Sequence, residues 1–308
     1  MRSCRCYFWR RRRLYIILKY RGGGVILLNE EIIKYKQIFV NKIKDKAEKL
    51  NDLSASDWIK FTKSWFLLSD KADKQKTACH PATFPLSLAE EYIKFFTREG
   101  QTVLDIFAGT GTTLIAADNL KRESIGIDLQ EKYKSFAQTR TSSPYIVGNA
   151  LEILNDNRLI SDESVDYIFT SPPYYNMLRK SRGGNKDTRH KIRQIQNEPV
   201  FYSDDSNDIG NIKSKEEYIC LLVDIFSAAF RVLRQKKYIT IIIQNMNIDG
   251  RLEPIAWEFA LLMQKTGLWD LKGERIWCQE NKKLGIYGFP TAYATNNFHH
   301  YCLTFRKI

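Results

Sequence analysis

One short stretch of this sequence combines residue types that could bind and react with a planar molecule. Ser171-Pro172-Pro173-Tyr174 follows directly after the apolar run SVDYIFT. Proline has no backbone N–H and fixes φ near about −65°, so the two prolines end a strand and leave carbonyls without ladder partners. These carbonyls and the Ser171 hydroxyl form a rigid set of acceptors, and Tyr174 adds an aromatic face. Such a tip suits a planar base that carries an amino group, although a loop with a structural tyrosine is the alternative.

A glycine turn between a strand pattern and a helix pattern suggests a second binding element. It lies in VLDIFAGTGTTLIAA, residues 103–117, where Gly109 and Gly111 precede a helix that begins near Thr112. Glycines let the backbone approach a ligand closely, and a helix N-terminus offers free N–H groups. Asp128 ends the next strand pattern, SIGID, where a carboxylate can accept hydrogen bonds from a ribose. Because a third glycine is missing, a nucleoside ligand fits this pattern better than a dinucleotide.

A third polar position, Asn149, follows the strand pattern YIV. Its side chain could reach an adenine ring edge. Asparagine is also a favourable N-cap residue, so a purely structural role as a helix cap is the alternative. The residues around Asn149 do not decide between the two roles.

Alternating strand and helix patterns must position these three elements. The sequence predicts strands over 101–107, 124–128, 145–147, 164–170, 236–245, 271–279 and 299–307. It predicts helices over 30–50, 57–68, 85–96, 112–120, 131–140, 215–233 and 253–267. This alternation is typical of a parallel sheet wound with helices, in which the ends of neighbouring strands share one edge.

Length and charge limit the classes of function. The 308 residues suffice for one large α/β domain, with or without a small accessory one. The net charge of +13 predicts attraction to a polyanion, with nucleic acid favoured over an anionic membrane surface. Residues 1–24 are either a basic nucleic-acid arm or an extension without a role.

Cysteine and histidine usage argues against a disulfide or metal framework. Six cysteines contain no CxxC pair, and the four histidines show no ligand spacing, so we expect no metal and a reducing, cytoplasmic interior. No run approaches about 20 apolar residues, so no membrane span is expected. The short apolar run near the N-terminus is interrupted by Lys19-Tyr20-Arg21, unlike a signal peptide.

Five stretches together resemble the S-adenosylmethionine-dependent amino-methyltransferases of DNA, which act on cytosine N4 or adenine N6. HPATFPLSLAEEYIKFF (80–96) resembles the cofactor-side segment of that family, VLDIFAGTGTTLIAA its motif one, SIGIDLQEKY its motif two, GNALEIL its motif three and TSPPYYN its catalytic motif four. In many members the catalytic motif precedes the cofactor motifs, whereas here the order is reversed, as in a circular permutation.

The resemblance implies a fold and a division of the chain. The fold is a Rossmann-like sheet of seven strands with helices on both faces, in which the last strand is antiparallel and lies between 236–245 and 271–279. Residues 1–70 would form a basic arm and helical extension, and residues 71–308 the catalytic domain, with 177–213 as a candidate DNA-contacting insert.

The resemblance also implies roles for individual residues. The catalytic residues would be Ser171, Pro172, Pro173 and Tyr174. The cofactor, S-adenosyl-L-methionine, would be held by His80, Pro81, Phe84, Asp105, Phe107, Ala108, Gly109, Gly111, Thr112, Asp128 and Asn149. Ser171 and Pro172 would accept the hydrogens of an exocyclic amine and aim its lone pair at the methyl group, while Tyr174 stacks on a flipped base.

The serine before Pro172-Pro173 favours cytosine N4, because aspartate or asparagine is more usual for adenine N6. No proline of this chain precedes a cysteine, which disfavours methylation at cytosine C5. Adenine N6 methylation, methylation of an RNA amine and a nucleic-acid-binding protein without catalysis are the alternatives.

Double-stranded DNA is the expected partner, and a cognate restriction endonuclease is a further candidate. Residues 179–193 hold seven Lys and Arg against one Asp, next to the catalytic tip, so we expect a mobile loop that contacts phosphates and not merely a solvated face. The residues proposed to contact DNA are Tyr175, Arg179, Lys180, Arg182 and Arg189. The acidic segment 201–212 is expected to pack against the domain or on this basic loop, and the loop 285–298 is another candidate for reading DNA sequence.

Overall fold

A computed structural model describes residues 7–10, 13–16, 49–68, 84–175, 207–248, 251–279, 284–286 and 289–308. Its contacts divide the chain into two units, residues 1–49 and residues 50–308. In the first unit, strand β1 (Tyr7–Arg10) pairs antiparallel with β2 (Arg13–Ile16). The second unit contains the other described helices and strands.

The second unit is built on a sheet of eight described strands. They are β3 (Trp65–Leu67), β4 (Thr102–Asp105), β5 (Glu123–Asp128), β6 (Tyr145–Val147), β7 (Val165–Thr170), β8 (Leu233–Ile243), β11 (Trp269–Cys278) and β12 (His299–Lys307). β9 (Met246–Ile248) and β10 (Arg251–Glu253) form a separate hairpin. The order in the large sheet is β3-β11-β12-β8-β7-β4-β5-β6. β12 runs antiparallel to β8 and β11, whereas every other described pair in this sheet is parallel.

All seven predicted strands are confirmed, and so is the insertion of β12 between β8 and β11. The eighth strand, β3, corrects the prediction of a helix over 57–68. Its side chains alternate in burial, with Trp65 and Leu67 exposed and Phe66 half-buried, which is the period of a strand. Backbone pairing with β11 then fixes this short segment at the edge of the sheet.

Seven described helices flank the sheet. They are α1 (Ala55–Phe61), α2 (Leu86–Phe96), α3 (Thr112–Asn119), α4 (Glu131–Ala137), α5 (Ala150–Asn155), α6 (Lys215–Val232) and α7 (Ile255–Lys265). The predictions for α2, α3, α4, α6 and α7 are confirmed, while nearly all of the predicted helix over 30–50 lies outside the described residues. No helix in the described part of the chain is long and apolar enough to cross a membrane.

Both faces of the sheet carry a hydrophobic core, as strand alternation requires. On β8, Ile241 and Ile243 belong to the cluster that contains residues of α6 and α7. Their neighbour Ile242 belongs to the cluster that contains residues of α1 and α2. The sheet is therefore the middle layer of an α/β sandwich, and its strands end at one edge where a site can form.

The boundary between the units falls after residue 49, not near residue 70 as expected, because α1 and β3 are joined to the sheet. Arg275 of β11 is 8% exposed, and its guanidinium lies over the rings of Phe61 at 4.0 Å and Phe66 at 4.2 Å. The same guanidinium donates to Glu91 of α2 at 3.0 Å. This one side chain thus fastens α1, β3 and α2 to the edge of the sheet.

Arg275→Ala is expected to lower the free energy of unfolding by about 2–3 kcal/mol, because it removes two cation–π contacts and the partner of Glu91. The estimate is reduced because Glu91 is partly exposed. Denaturant unfolding measures the change. Lys272→Ala on the exposed face of the same strand is the control and should shift stability by less than about 0.5 kcal/mol. Equal stability of Arg275→Ala and the wild type would contradict the assignment.

Candidate active site

A cleft lies at the carboxyl ends of β4, β5 and β6, where the sequence places its polar motifs. Its walls include Phe107, Asp128, Asn149 and Pro173. The other wall is formed by residues 207–209 and by two residues of α6, Leu221 and Ile225. The structure therefore brings the glycine turn, the two polar strand ends and the Pro-Pro tip to one cavity.

The glycine turn is held in shape by the two neighbouring strands. Gly109 has φ of 49° and donates its N–H to Asp128 Oδ2 at 2.9 Å, and it accepts at its carbonyl from the Tyr145 hydroxyl at 2.7 Å. Gly111 caps α3 with φ of 79°, and a Cβ there would lie 2.9 Å from the Cβ of Ala137. Glycine is thus required by conformation and by space. Ala108 and Thr112 are buried in the packing of this turn, and Phe107 is its residue on the cleft wall.

Asp105 is buried behind the turn and does not line the cleft. Its carboxylate accepts from Phe107 N at 3.1 Å and from the Thr170 hydroxyl at 2.6 Å, and it also bonds Thr113. Burial raises the pKa of Asp105 to about 6, although these hydrogen bonds oppose the change. Because Thr170 directly precedes Ser171, Asp105 connects the glycine turn to the catalytic tip.

Asp128 lies on the cleft wall at the end of β5. One carboxylate oxygen accepts from Gly109 N and the other from Gln130 N, both at 2.9 Å. Burial raises the pKa of Asp128 to about 6, although both backbone bonds oppose the change. Since each carboxylate oxygen can accept two hydrogen bonds, both retain capacity for a second donor. A vicinal diol matches this pair of acceptors.

Asn149 is both a helix cap and a cleft residue. Its Oδ1 accepts from Leu151 N at 2.9 Å and from Glu152 N at 3.4 Å, which confirms the capping role. The side chain also borders the cleft. Because the oxygen serves the cap, the amide NH2 is the group that Asn149 can offer to a ligand.

The catalytic tip is anchored by the next strand and by α6. The Ser171 hydroxyl donates to the carbonyl of Ile242 at 3.2 Å, so its lone pairs can accept other hydrogens. The Tyr218 hydroxyl of α6 donates to the Pro173 carbonyl at 2.9 Å. This leaves Ser171 Oγ and the Pro172 carbonyl as the candidate acceptors for an amine.

Tyr174 differs from its expected open stacking position. It is 7% exposed, and its hydroxyl lies 2.9 Å from His300 Nδ1 and 3.4 Å from Ser171 Oγ. The His300 ring in turn stacks on Trp277 at 4.8 Å. Stacking of Tyr174 on a base therefore stays a prediction that requires the cover of this ring to move.

Other predicted site residues lie away from the cleft or outside the described residues. Phe84 packs edge-on against Phe169 at 5.4 Å, and Tyr175 is buried with its hydroxyl bonded to the carbonyl of Lys213. Neither lines the cleft. The predicted residues outside the described part of the chain are His80, Pro81, Arg179, Lys180, Arg182 and Arg189.

Sequence reasoning missed the wall formed by residues 207–209. Asp208 Oδ1 accepts from Gly210 N, which caps the short 3-10 turn Ile209–Asn211 before α6. Ile209 is 7% exposed and belongs to the core. The pattern Asp-x-Gly before the helix cap Ser214 was the signal for this turn, and it confirms packing on the domain for this part of the acidic segment.

Comparison with known proteins identifies the family. A profile of the DNA methylase family matches residues 11–139 and 165–307. Type II methyltransferase M.BglI of Bacillus subtilis is 36% identical over 117 residues, which cover 37% of this chain and 32% of that protein. Type II methyltransferase M.MthZI of Methanothermobacter thermautotrophicus is 29% identical over 156 residues, covering 45% and 44%. The alignments thus span less than half of either relative.

A solved structure gives a further match. The S-adenosylmethionine-dependent methyltransferase from Archaeoglobus fulgidus aligns at 17% identity with a TM-score of 0.41, covering 72% of this chain and 95% of that one. The sheet order described above is the Rossmann-like methyltransferase arrangement that the sequence implied.

The chain belongs to the DNA methylase family. Within it, the resemblance to S-adenosylmethionine-dependent DNA amino-methyltransferases is confirmed, and S-adenosyl-L-methionine is the cofactor. The cleft fits this cofactor, because Asp128 offers two acceptors for the ribose hydroxyls and Phe107 offers an apolar face. Within the described residues, no group of three or more His, Cys, Asp or Glu side chains has the arrangement of a metal site.

Cofactor affinity should rise by roughly tenfold from pH 5 to pH 7.5. Below its pKa of about 6, Asp128 is protonated and loses the charge that strengthens its bonds to ribose hydroxyls; above it, the carboxylate is ionised. Asp128→Asn should reduce this dependence to the part contributed by Asp105. Asp224→Asn, an exposed change on α6, should keep it in full. Calorimetry at both pH values decides, and equal wild-type affinities would contradict the role of Asp128.

Proposed function

We propose that this protein transfers a methyl group from S-adenosyl-L-methionine to the exocyclic amine of a flipped base in double-stranded DNA, and that the acceptor is cytosine N4. One observation carries the proposal: Pro173 of the tip lines the same cleft as Asp128 and Asn149. The acceptors of the tip therefore lie beside the cofactor residues. A cytoplasmic location belongs to this proposal, and a cognate restriction endonuclease is a partner that co-expression would reveal.

The residues of the chain act mainly by positioning and by electrostatics. When bound, S-adenosyl-L-methionine supplies an electrophilic methyl group on a positively charged sulfur. Ser171 Oγ, with its proton directed at Ile242 O, and the Pro172 carbonyl accept the two hydrogens of the base amine. This arrangement favours a pyramidal nitrogen and disperses the positive charge that develops on it during transfer.

A buried network supports this alignment. Asp105 bonds both Phe107 N of the cofactor turn and Thr170, the residue before Ser171. Tyr218 holds the Pro173 carbonyl from α6. The relative position of cofactor and base is thus set by side chains that touch neither.

The choice of base rests on Ser171. Cytosine N4 is favoured because a serine stands where aspartate or asparagine is more usual for adenine N6. Mass spectrometry of nucleosides from DNA of cells that express the protein tests this choice. N4-methylcytosine supports it, and N6-methyladenine would replace it with the alternative.

Replacing Arg179, Lys180 and Arg182 together by alanine should weaken DNA binding at every sequence and flatten its salt dependence. Each lost phosphate contact should lower the slope of log affinity against log salt by about one. The matched control replaces Lys121, Lys236 and Lys272, which are exposed at the opposite edge of the sheet, and should keep the slope. Fluorescence anisotropy at several salt concentrations measures it. Loss of affinity for one sequence alone would show that the loop reads bases.

A further inference from the structure

A second carboxylate in the cleft, Asp208, is not used by the proposed mechanism. Asp208 is 6% exposed and lines the same cavity as Asp128 and Asn149. Its Oδ1 accepts from Gly210 N at 2.9 Å and so caps the turn before α6. A carboxylate offers about four acceptor positions, so this single capping bond uses only part of its capacity.

The two carboxylates are close enough to affect each other. Burial is the main cause that raises the pKa of Asp128, and the negative charges of Asp105 and Asp208 add to it. Asp208 approaches the cleft from the α6 side, whereas Asp128 and Asn149 lie at strand ends. A ligand in the cleft therefore meets acceptors on two opposite walls.

Adenine requires both a donor and an acceptor from its site, because its N1 accepts a hydrogen bond and its 6-amino group donates. Asn149 can donate to N1 with its amide NH2. Its Oδ1, however, already accepts from Leu151 N and Glu152 N at the start of α5. The amino group thus needs an acceptor from elsewhere in the cleft.

We infer that Asp208 accepts a hydrogen bond from the 6-amino group of the cofactor adenine and thereby selects a 6-aminopurine cofactor. This inference rests on the proposed function, which places the cofactor in the cleft with its ribose on Asp128. Asp208 supplies this bond from a rigid position, since the capping bond and the burial of Ile209 hold the turn. Leu221 and Ile225 of α6 line the same wall and give the ring apolar contact.

The competing view is that Asp208 only caps the turn. Asp208→Asn separates the two roles, because asparagine caps as well as aspartate. In this variant the single side-chain oxygen serves Gly210 N, and an NH2 group then faces the 6-amino group as donor against donor. A cap alone would leave purine selection unchanged.

Calorimetry without DNA tests the inference with two ligands, S-adenosylhomocysteine and its analogue with hydrogen in place of the 6-amino group. The wild type should bind the amino ligand roughly tenfold or more tightly than the analogue. Asp208→Asn should reduce this preference to within about twofold, and Asp208→Ser, which also retains a cap, should do the same. Asp224→Asn on the exposed face of α6 should keep the wild-type preference.

Two results would overturn the inference: a wild-type preference within about twofold, or an unchanged preference in both Asp208 variants. Failure of the proposed function gives a different result. Asp128→Ala should weaken both ligands alike without changing their ratio, and absence of methyl transfer to DNA would reject the proposed reaction whatever that ratio is.

Discussion

Ser171→Ala should lower the rate of methyl transfer at saturating cofactor and DNA by about 10²–10³-fold, the cost typical of removing one preorganised polar group at a reacting centre. The hydroxyl proton of Ser171 is directed at Ile242 O, so its lone pairs are what the substitution removes. Their bond to the amine strengthens as the nitrogen becomes tetrahedral, which places the loss in the rate and not in the affinity for DNA.

Single-turnover transfer from labelled cofactor measures the effect. Cofactor affinity should be unchanged, because Ser171 does not line the cofactor cleft. Ser135→Ala, an exposed serine of α4, should transfer at the wild-type rate. Full activity of Ser171→Ala would reject the tip as the catalytic site.

Tyr174→Ala should reduce transfer on a fully paired duplex by roughly 5–150-fold, the equivalent of about 1–3 kcal/mol of base stacking. A mismatch opposite the target base lowers the cost of flipping and should restore part of this activity. The same mismatch should not rescue Ser171→Ala, because that variant is impaired after the base has been flipped.

Tyr174→Phe separates the ring from the hydroxyl. It keeps the aromatic face but loses the bond to His300 Nδ1. If stacking is the role of Tyr174, the phenylalanine variant should transfer near the wild-type rate and gain little from a mismatch. If Phe and Ala impair transfer equally, the hydroxyl network with His300 and Ser171 is what matters, and the stacking role is wrong.

The order of the sheet and the position of the cleft could be predicted because they depend on local patterns. β4, β5 and β7 are apolar runs bounded by glycine, proline or aspartate, and parallel strands place those boundaries at one edge. Asp128 and Asn149 therefore meet Pro173 as expected. The combined role of Asn149 also follows from its residue type.

The parts that could not be predicted depend on contacts between distant residues. β3 is three residues long, too short to show a period, and it becomes a strand through pairing with β11. The burial of Tyr174 depends on His300, which β12 brings beside it. Asp208 reaches the cleft only because the turn Ile209–Asn211 precedes α6 on the far wall.

The most direct test of the account incubates the purified protein with duplex DNA and cofactor that carries a deuterated methyl group, followed by digestion to nucleosides and mass spectrometry. The account predicts deuterated N4-methylcytosine with the wild type and almost none with Ser171→Ala. Deuterated N6-methyladenine would change the target base and keep the site. Label at cytosine C5, label in RNA but not in DNA, or equal labelling by Ser171→Ala would contradict the central claim that this tip methylates an amine of DNA.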